Sequence, residues 1–144
     1  MPGHGITVAV PVKSVGGGQA VNYLNGSSTG AKYTRPEKFD YELVMAIANA
    51  GTTDIVMNAA RAAGARGGTV IRGKGTGSGD AQKFHHISIA DEKEVILIVV
   101  AAEIKTAVMY SILEKAGPAS EAGALVFSLP VSEAAGFGFI QSEN

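Results

Sequence analysis

In the segment RGGTVIRGKGTGSGD, Arg66 to Asp80, an apolar stretch of β type runs directly into glycines at alternate positions: Gly73, Gly75, Gly77 and Gly79. Residues without Cβ let backbone N–H groups approach an anion such as a phosphate, and they let a loop change conformation. A plain flexible turn would have the same composition, so the segment by itself leaves both readings open. Cations that could face a phosphate are Arg66, Arg72, Lys74, Lys83 and Lys105. His85 and His86 are adjacent; on a strand they would face opposite sides, so they could not chelate one metal ion without further copies brought together by symmetry. They are read as loop histidines, with no metal site predicted. Serine, histidine and carboxylate residues are present, but no spacing suggests a catalytic triad. Asp80, Asp91, Glu92, Glu94, Glu103 and Glu114 read as solvated charges of loops and helix ends. The chain is therefore not expected to be an enzyme.

The elements that must position these groups follow from patterning. The chain has 144 residues, 46% hydrophobic and 17% charged, with net charge −1 and no cysteine. That balance suits a globular domain and gives no electrostatic pull toward nucleic acid or anionic lipid. Absence of cysteine excludes disulfides and thiolate chemistry. The longest apolar run, Val95 to Ala102, is far shorter than the roughly 20 residues of a membrane-spanning helix, and no signal-peptide layout opens the chain. A cytoplasmic location is expected, with no membrane insertion.

Residues 1–38 form an extension with one strand-like run, Ile6 to Val12, followed by a Gly-, Ser- and Asn-rich loop. Residues 39–144 alternate element types. Tyr41 to Asn49 reads as a central strand, and Thr52 and Thr53 are N-cap candidates for a helix with Ile55, Val56, Ala59, Ala60 and Ala63 at helical spacing. Gly64 stands where a left-handed C-terminal residue is wanted. Strands follow at Gly67 to Gly73 and Glu94 to Ala102. A second helix, Glu103 to Gly117, has Ile104, Ala107, Val108, Ser111 and Ile112 on one face, and a last strand spans Ala124 to Val131. The order βαββαβ predicts a ferredoxin-like α+β fold, an antiparallel four-stranded sheet with both helices on one face. Because the strands are apolar at successive positions, the bare face needs a cover, and a homo-oligomer is predicted.

The words ARAAGARGGTVIRGKGTG, EVILIVVAAEIKTAVMYSILEKAG and GALVFSLPVSEAAG resemble, in order, three segments of the P-II signalling proteins. These are the first helix with the second strand and loop entry, the third strand with the second helix, and the fourth strand. The resemblance covers about residues 39–137 and is nearest to branches with a shortened loop. It implies a homotrimer that binds an adenine nucleotide (AMP, ADP or ATP) in clefts between subunits. A mobile loop would then control a partner protein, such as a membrane transporter or an enzyme, holding the chain at the membrane periphery through that partner. By the resemblance, Gly75 and Gly77 lie beside the phosphates, Thr69 near the adenine, Lys93 at the loop exit and Gly123 before the last strand, with Lys83, Phe84, His85 and His86 in the partner-binding loop. A structural or metal-handling trimer resembling CutA, without nucleotide, is the alternative.

This chain also departs from the pattern. Gly79 replaces a glutamine that holds magnesium and 2-oxoglutarate, Ala124 replaces a phosphate-binding lysine, and the tail lacks the arginines set around the phosphates. Each lost cation removes a charge-assisted bond worth roughly 1.5–3 kcal/mol. Gly5 to Gly17 echoes Ala124 to Gly136, each an apolar strand, then Pro-Val and a glycine; the extension reads as the remnant of a preceding copy or as a strand added to the sheet edge, with chance similarity between two Pro-ended strands as the alternative.

Overall fold

The computed structural model describes residues 5–12, 39–76 and 91–136. Its elements are β1 (Thr7–Ala9), β2 (Tyr41–Asn49), α1 (Thr53–Ala62), β3 (Thr69–Gly75), β4 (Asp91–Ala101), a 3-10 turn (Ala102–Ile104), α2 (Lys105–Ala116), β5 (Leu125–Val131) and β6 (Glu133–Ala135). Strands β3-β4-β2-β5 form one antiparallel sheet, the ferredoxin-like order, and β1 and β6 form a separate two-stranded sheet.

The apolar strands divide by parity, as alternation requires. Even-numbered Val44, Ala46, Ala48, Ile96, Ile98 and Val100 are buried against the helices. Their odd-numbered neighbours form the opposite face: Leu43, Met45 and Ile47 stand across from Val99, Leu97 and Val95 on one side and from Leu129, Phe127 and Leu125 on the other. Leu125 is 61%, Ile71 51% and Phe127 36% exposed, so this face is apolar and open.

Helix α1 supplies Val56, Met57, Ala59 and Ala60 to the core. It ends in a Schellman motif, the Ala65 N–H donating to Ala60 O (3.1 Å) and the Gly64 N–H to Arg61 O (3.0 Å), with Gly64 at φ +106. At its start the sequence expectation needs correction. Thr52 occupies the N-cap position without a side-chain cap, and its hydroxyl donates instead to Asn49 O at 2.6 Å. In α2 the buried residues are Val108, Ile112 and Ala116, whereas Ala107 is exposed. Ser111 is half-buried and donates to Ala59 O at 2.7 Å, tying the two helices together.

The N-terminal strand does not extend the four-stranded sheet. It pairs with β6, a strand not foreseen in the sequence, with Thr7 opposite Ala135 and Ala9 opposite Glu133.

Candidate functional site

Strands β2, β3 and β4 end together with the turn before β5, and three of the predicted residues meet there. Register places Lys93 between Asn49 on β2 and Gly73 on β3, and Gly75 opposite Asp91. All of these are odd-numbered, so the cluster belongs to the open face. The Lys93 ammonium donates to Asn49 Oδ1 at 2.7 Å and is 3.0 Å from Asp91 Oδ2. Asn49 in turn donates through Nδ2 to Glu121 O at 3.0 Å. Gly123 sits at φ +54, and a Cβ there would come within 3.2 Å of Asn49 Nδ2. A Cβ on Gly75 would lie 3.1 Å from Lys93 Cε. Glycine at both positions therefore lets the turn and the strand close around one oriented lysine.

Asn49 was not among the expected residues. A polar residue at a strand end carries no local signal of this role, since its partners lie 44 and 72 positions away. The position of Lys93 also differs from expectation: β4 begins at Asp91, so Lys93 is a strand residue and not a loop exit. Ala124, which takes the place of a lysine in the resemblance, is fully buried, and its N–H donates to Ala116 O at 2.8 Å. Gly77 and the expected partner loop, Lys83, Phe84, His85 and His86, lie outside the described residues.

Beside Lys93 a polar pocket of about 330 Å³ is lined by Arg72, Gly73, Lys74, Glu92 and Glu94, among others. Glu94 is not the free surface charge that the sequence suggested. It accepts from the Thr53 hydroxyl and, at 3.1 Å, from the Gly51 N–H, bracing the turn between β2 and α1. The Thr53 hydrogen bond, then that of Gly51, hold its carboxyl below the ordinary value of 4.5. A depressed folded-state pKa stabilises the fold above the unfolded value, and that stabilisation is lost as pH falls through the folded value. The melting-temperature advantage of wild type over Glu94→Gln is thus expected to be full at pH 7 and to shrink as pH drops below about 4.5. Melts from pH 7 to pH 3 check this, and an advantage constant over that range would refute it.

Thr69 lies apart from the lysine cluster but on the same face. It stands opposite Leu97, four residues along β4 from Lys93, or about 13 Å at roughly 3.3 Å per residue. Thr69, Leu43, Leu97 and Val99 line an apolar pocket of about 740 Å³, whose rim includes Arg66 and the side-chain-free backbone of Gly67 and Gly68. The open face thus offers an aliphatic slot at one end and a hydrogen-bonded cation at the other. Among the described residues no three His, Asp or Glu side chains converge as a metal ion would require, and no helix is long and apolar enough to cross a membrane.

Comparison with known proteins bears on the family and the fold. The model of the family "Nitrogen regulatory protein P-II" matches residues 41–137. Among solved structures, PII of Arabidopsis thaliana, bound to citrate, is similar at 23% identity and a TM-score of 0.51, over 68% of this chain and 88% of that one. A PII-like signaling protein of Thermus thermophilus aligns at 14% identity and a TM-score of 0.48, over 67% of this chain and 88% of its own. At these identities the likeness is one of fold. No curated protein matches the chain.

Proposed function

The chain belongs to the nitrogen regulatory protein P-II family, and from that premise we propose that it is a non-enzymatic signal-transduction protein whose ligand is an adenine nucleotide. It works as a cytoplasmic homotrimer. The observation that carries this reading is the shared open face, with an aliphatic slot at Thr69 and a fixed ammonium at Lys93 about 13 Å away along one strand. A base would occupy the slot, and a phosphate tail would run toward Gly75, Lys93 and Gly123. Arg72 and Lys74 are even-numbered and stand opposite Glu94 and Glu92 in register, on the other face of the sheet, so this reading gives the phosphate to Lys93. The apolar face between the two ends supports assembly, since Leu125 and Phe127 need a cover that one copy does not supply.

The signal would leave through the segment that follows β3, where Gly77 would lie beside the phosphates and Lys83, Phe84, His85 and His86 would contact a partner protein, a membrane transporter being one class. The ligand acts by population shift: it favours one loop state only by binding that state more tightly.

Calorimetric titration with AMP, ADP, ATP with magnesium and cyclic AMP, each with and without 2-oxoglutarate, tests the reading. Citrate belongs in the panel because the Arabidopsis relative was crystallised with it. Micromolar binding of one nucleotide is expected. A folded oligomer that is silent to every nucleotide would refute the proposal.

A further inference from the structure

Ile6 and Val8 of the N-terminal segment line the same 740 Å³ pocket as Thr69, Leu97 and Val99. They reach it because β1 is fixed to β6: Val8 stands opposite Ala134, and the Ser132 N–H and hydroxyl both donate to Ala9 O, at 2.9 and 3.1 Å. The strand alternates as it should, with Thr7 and Ala9 lining a different groove, of about 500 Å³, on its other side. Neither Ile6 nor Val8 falls within residues 41–137, the part of the chain that matches the family. This wall of the pocket is therefore supplied by the chain's own extension.

We propose that β1 is a specificity-determining wall of the ligand site, with Ile6 and Val8 closing over the flat face of a bound purine nucleotide. The inference rests on the nucleotide reading above and adds the segment that grips the base. Ile6 is 58% exposed, so a large part of its apolar surface is left for a ligand ring to cover. Leu97 and Val99 supply further apolar lining, and Tyr41, Arg66, Thr69 and the backbone of Gly67 and Gly68 are the polar residues of the same pocket. Such a slot suits a planar ring that is apolar on its faces and hydrogen-bonding at its edge. Among the described residues, a three-residue strand paired with another three-residue strand has few interactions to hold it. A ligand that packs against it should therefore add measurably to its protection.

The test uses the full chain and ADP. Ile6→Asp and Val8→Asp should each weaken ADP binding at least tenfold, while Val12→Asp, on the same segment but outside the pocket, should leave it unchanged. In the same titration ADP should slow amide hydrogen exchange in residues 5–12 together with residues 67–71. Wild-type affinity in both pocket variants, with no added protection in residues 5–12, would overturn the proposal. If an Asp variant melts early, Val8→Ala decides: a several-fold loss supports the wall and an unchanged Kd overturns it. If wild type binds no nucleotide, the nucleotide reading fails separately, and the wall is then judged with the apolar dye 1-anilinonaphthalene-8-sulfonate. Dye fluorescence lost in Val8→Asp but kept in Val12→Asp would support it, whereas equal fluorescence in both would overturn it.

Discussion

Replacing Ile96 by alanine is expected to cost about 3–4 kcal/mol of stability, within the range for emptying a large aliphatic site in a packed core, and to lower the melting temperature by roughly 10 °C. Ile96 is fully buried on the central strand β4, between Ala46 and Val70 in register, in the cluster that includes Val56, Val108 and Ile112. Its neighbours are held by two strands and two helices and have little room to collapse into the space left behind. Against a typical total of 5–15 kcal/mol the loss is severe. Leu97, one residue on, faces the other way and is half-buried on the open face. Leu97→Ala should therefore cost less in a dilute single copy, and its effect should grow with protein concentration if other copies cover that face. Urea denaturation of both variants at several concentrations checks the pair. Equal and concentration-independent costs would contradict the alternate facing of β4.

The same alternation explains how much of the fold could be read from the chain. Tyr41–Asn49 was legible to the residue, because the apolar run Leu43–Ala48 stops at Asn49, Gly51 breaks the chain and a helical pattern begins two residues after it. The second helix was placed but its face was misjudged, with Ala107 taken for core and Ala116 passed over. The buried stripe runs Val108, Ile112, Ala116 at i, i+4 and i+8, which leaves Ala107 at its edge and carries the stripe one turn past Ile112. Strand β6 was not legible at all: Glu133, Ala134 and Ala135 have no apolar alternation and are a strand only because Thr7, Val8 and Ala9 arrive beside them. Within the candidate site, Gly75, Lys93 and Gly123 were named through resemblance. Asn49, the side chain that links Lys93 to the turn at Glu121, becomes visible only when β2 is laid against β4 and the turn before β5. Local words identify elements, whereas a site assembled across a sheet depends on register, and register is a property of the whole sheet.

Gly75→Val is expected to weaken nucleotide binding about ten- to a hundredfold, the equivalent of one charge-assisted hydrogen bond worth roughly 1.5–3 kcal/mol. The reason is steric and acts through Lys93. A Cβ at position 75 would already sit 3.1 Å from Lys93 Cε and 3.2 Å from its Cγ, so the two methyl groups of valine require the lysine to swing away. That movement breaks its contacts with Asn49 Oδ1 and Asp91 Oδ2 and removes the ammonium from where a phosphate would meet it. Gly75→Ala adds only the Cβ, which a flexible side chain can absorb by a few tenths of an ångström, and should cost a few-fold. Stability should move the other way or not at all, because Gly75 lies on an edge strand, where a β-branched residue is favoured over glycine. Calorimetric titration with ADP alongside thermal melts separates the two effects. Binding lost with the melting temperature held or raised would mark Gly75 as a residue kept for the ligand at some expense to the strand. Wild-type affinity in Gly75→Val would mean that Lys93 is oriented for the fold alone and that the phosphate tail lies elsewhere on the open face.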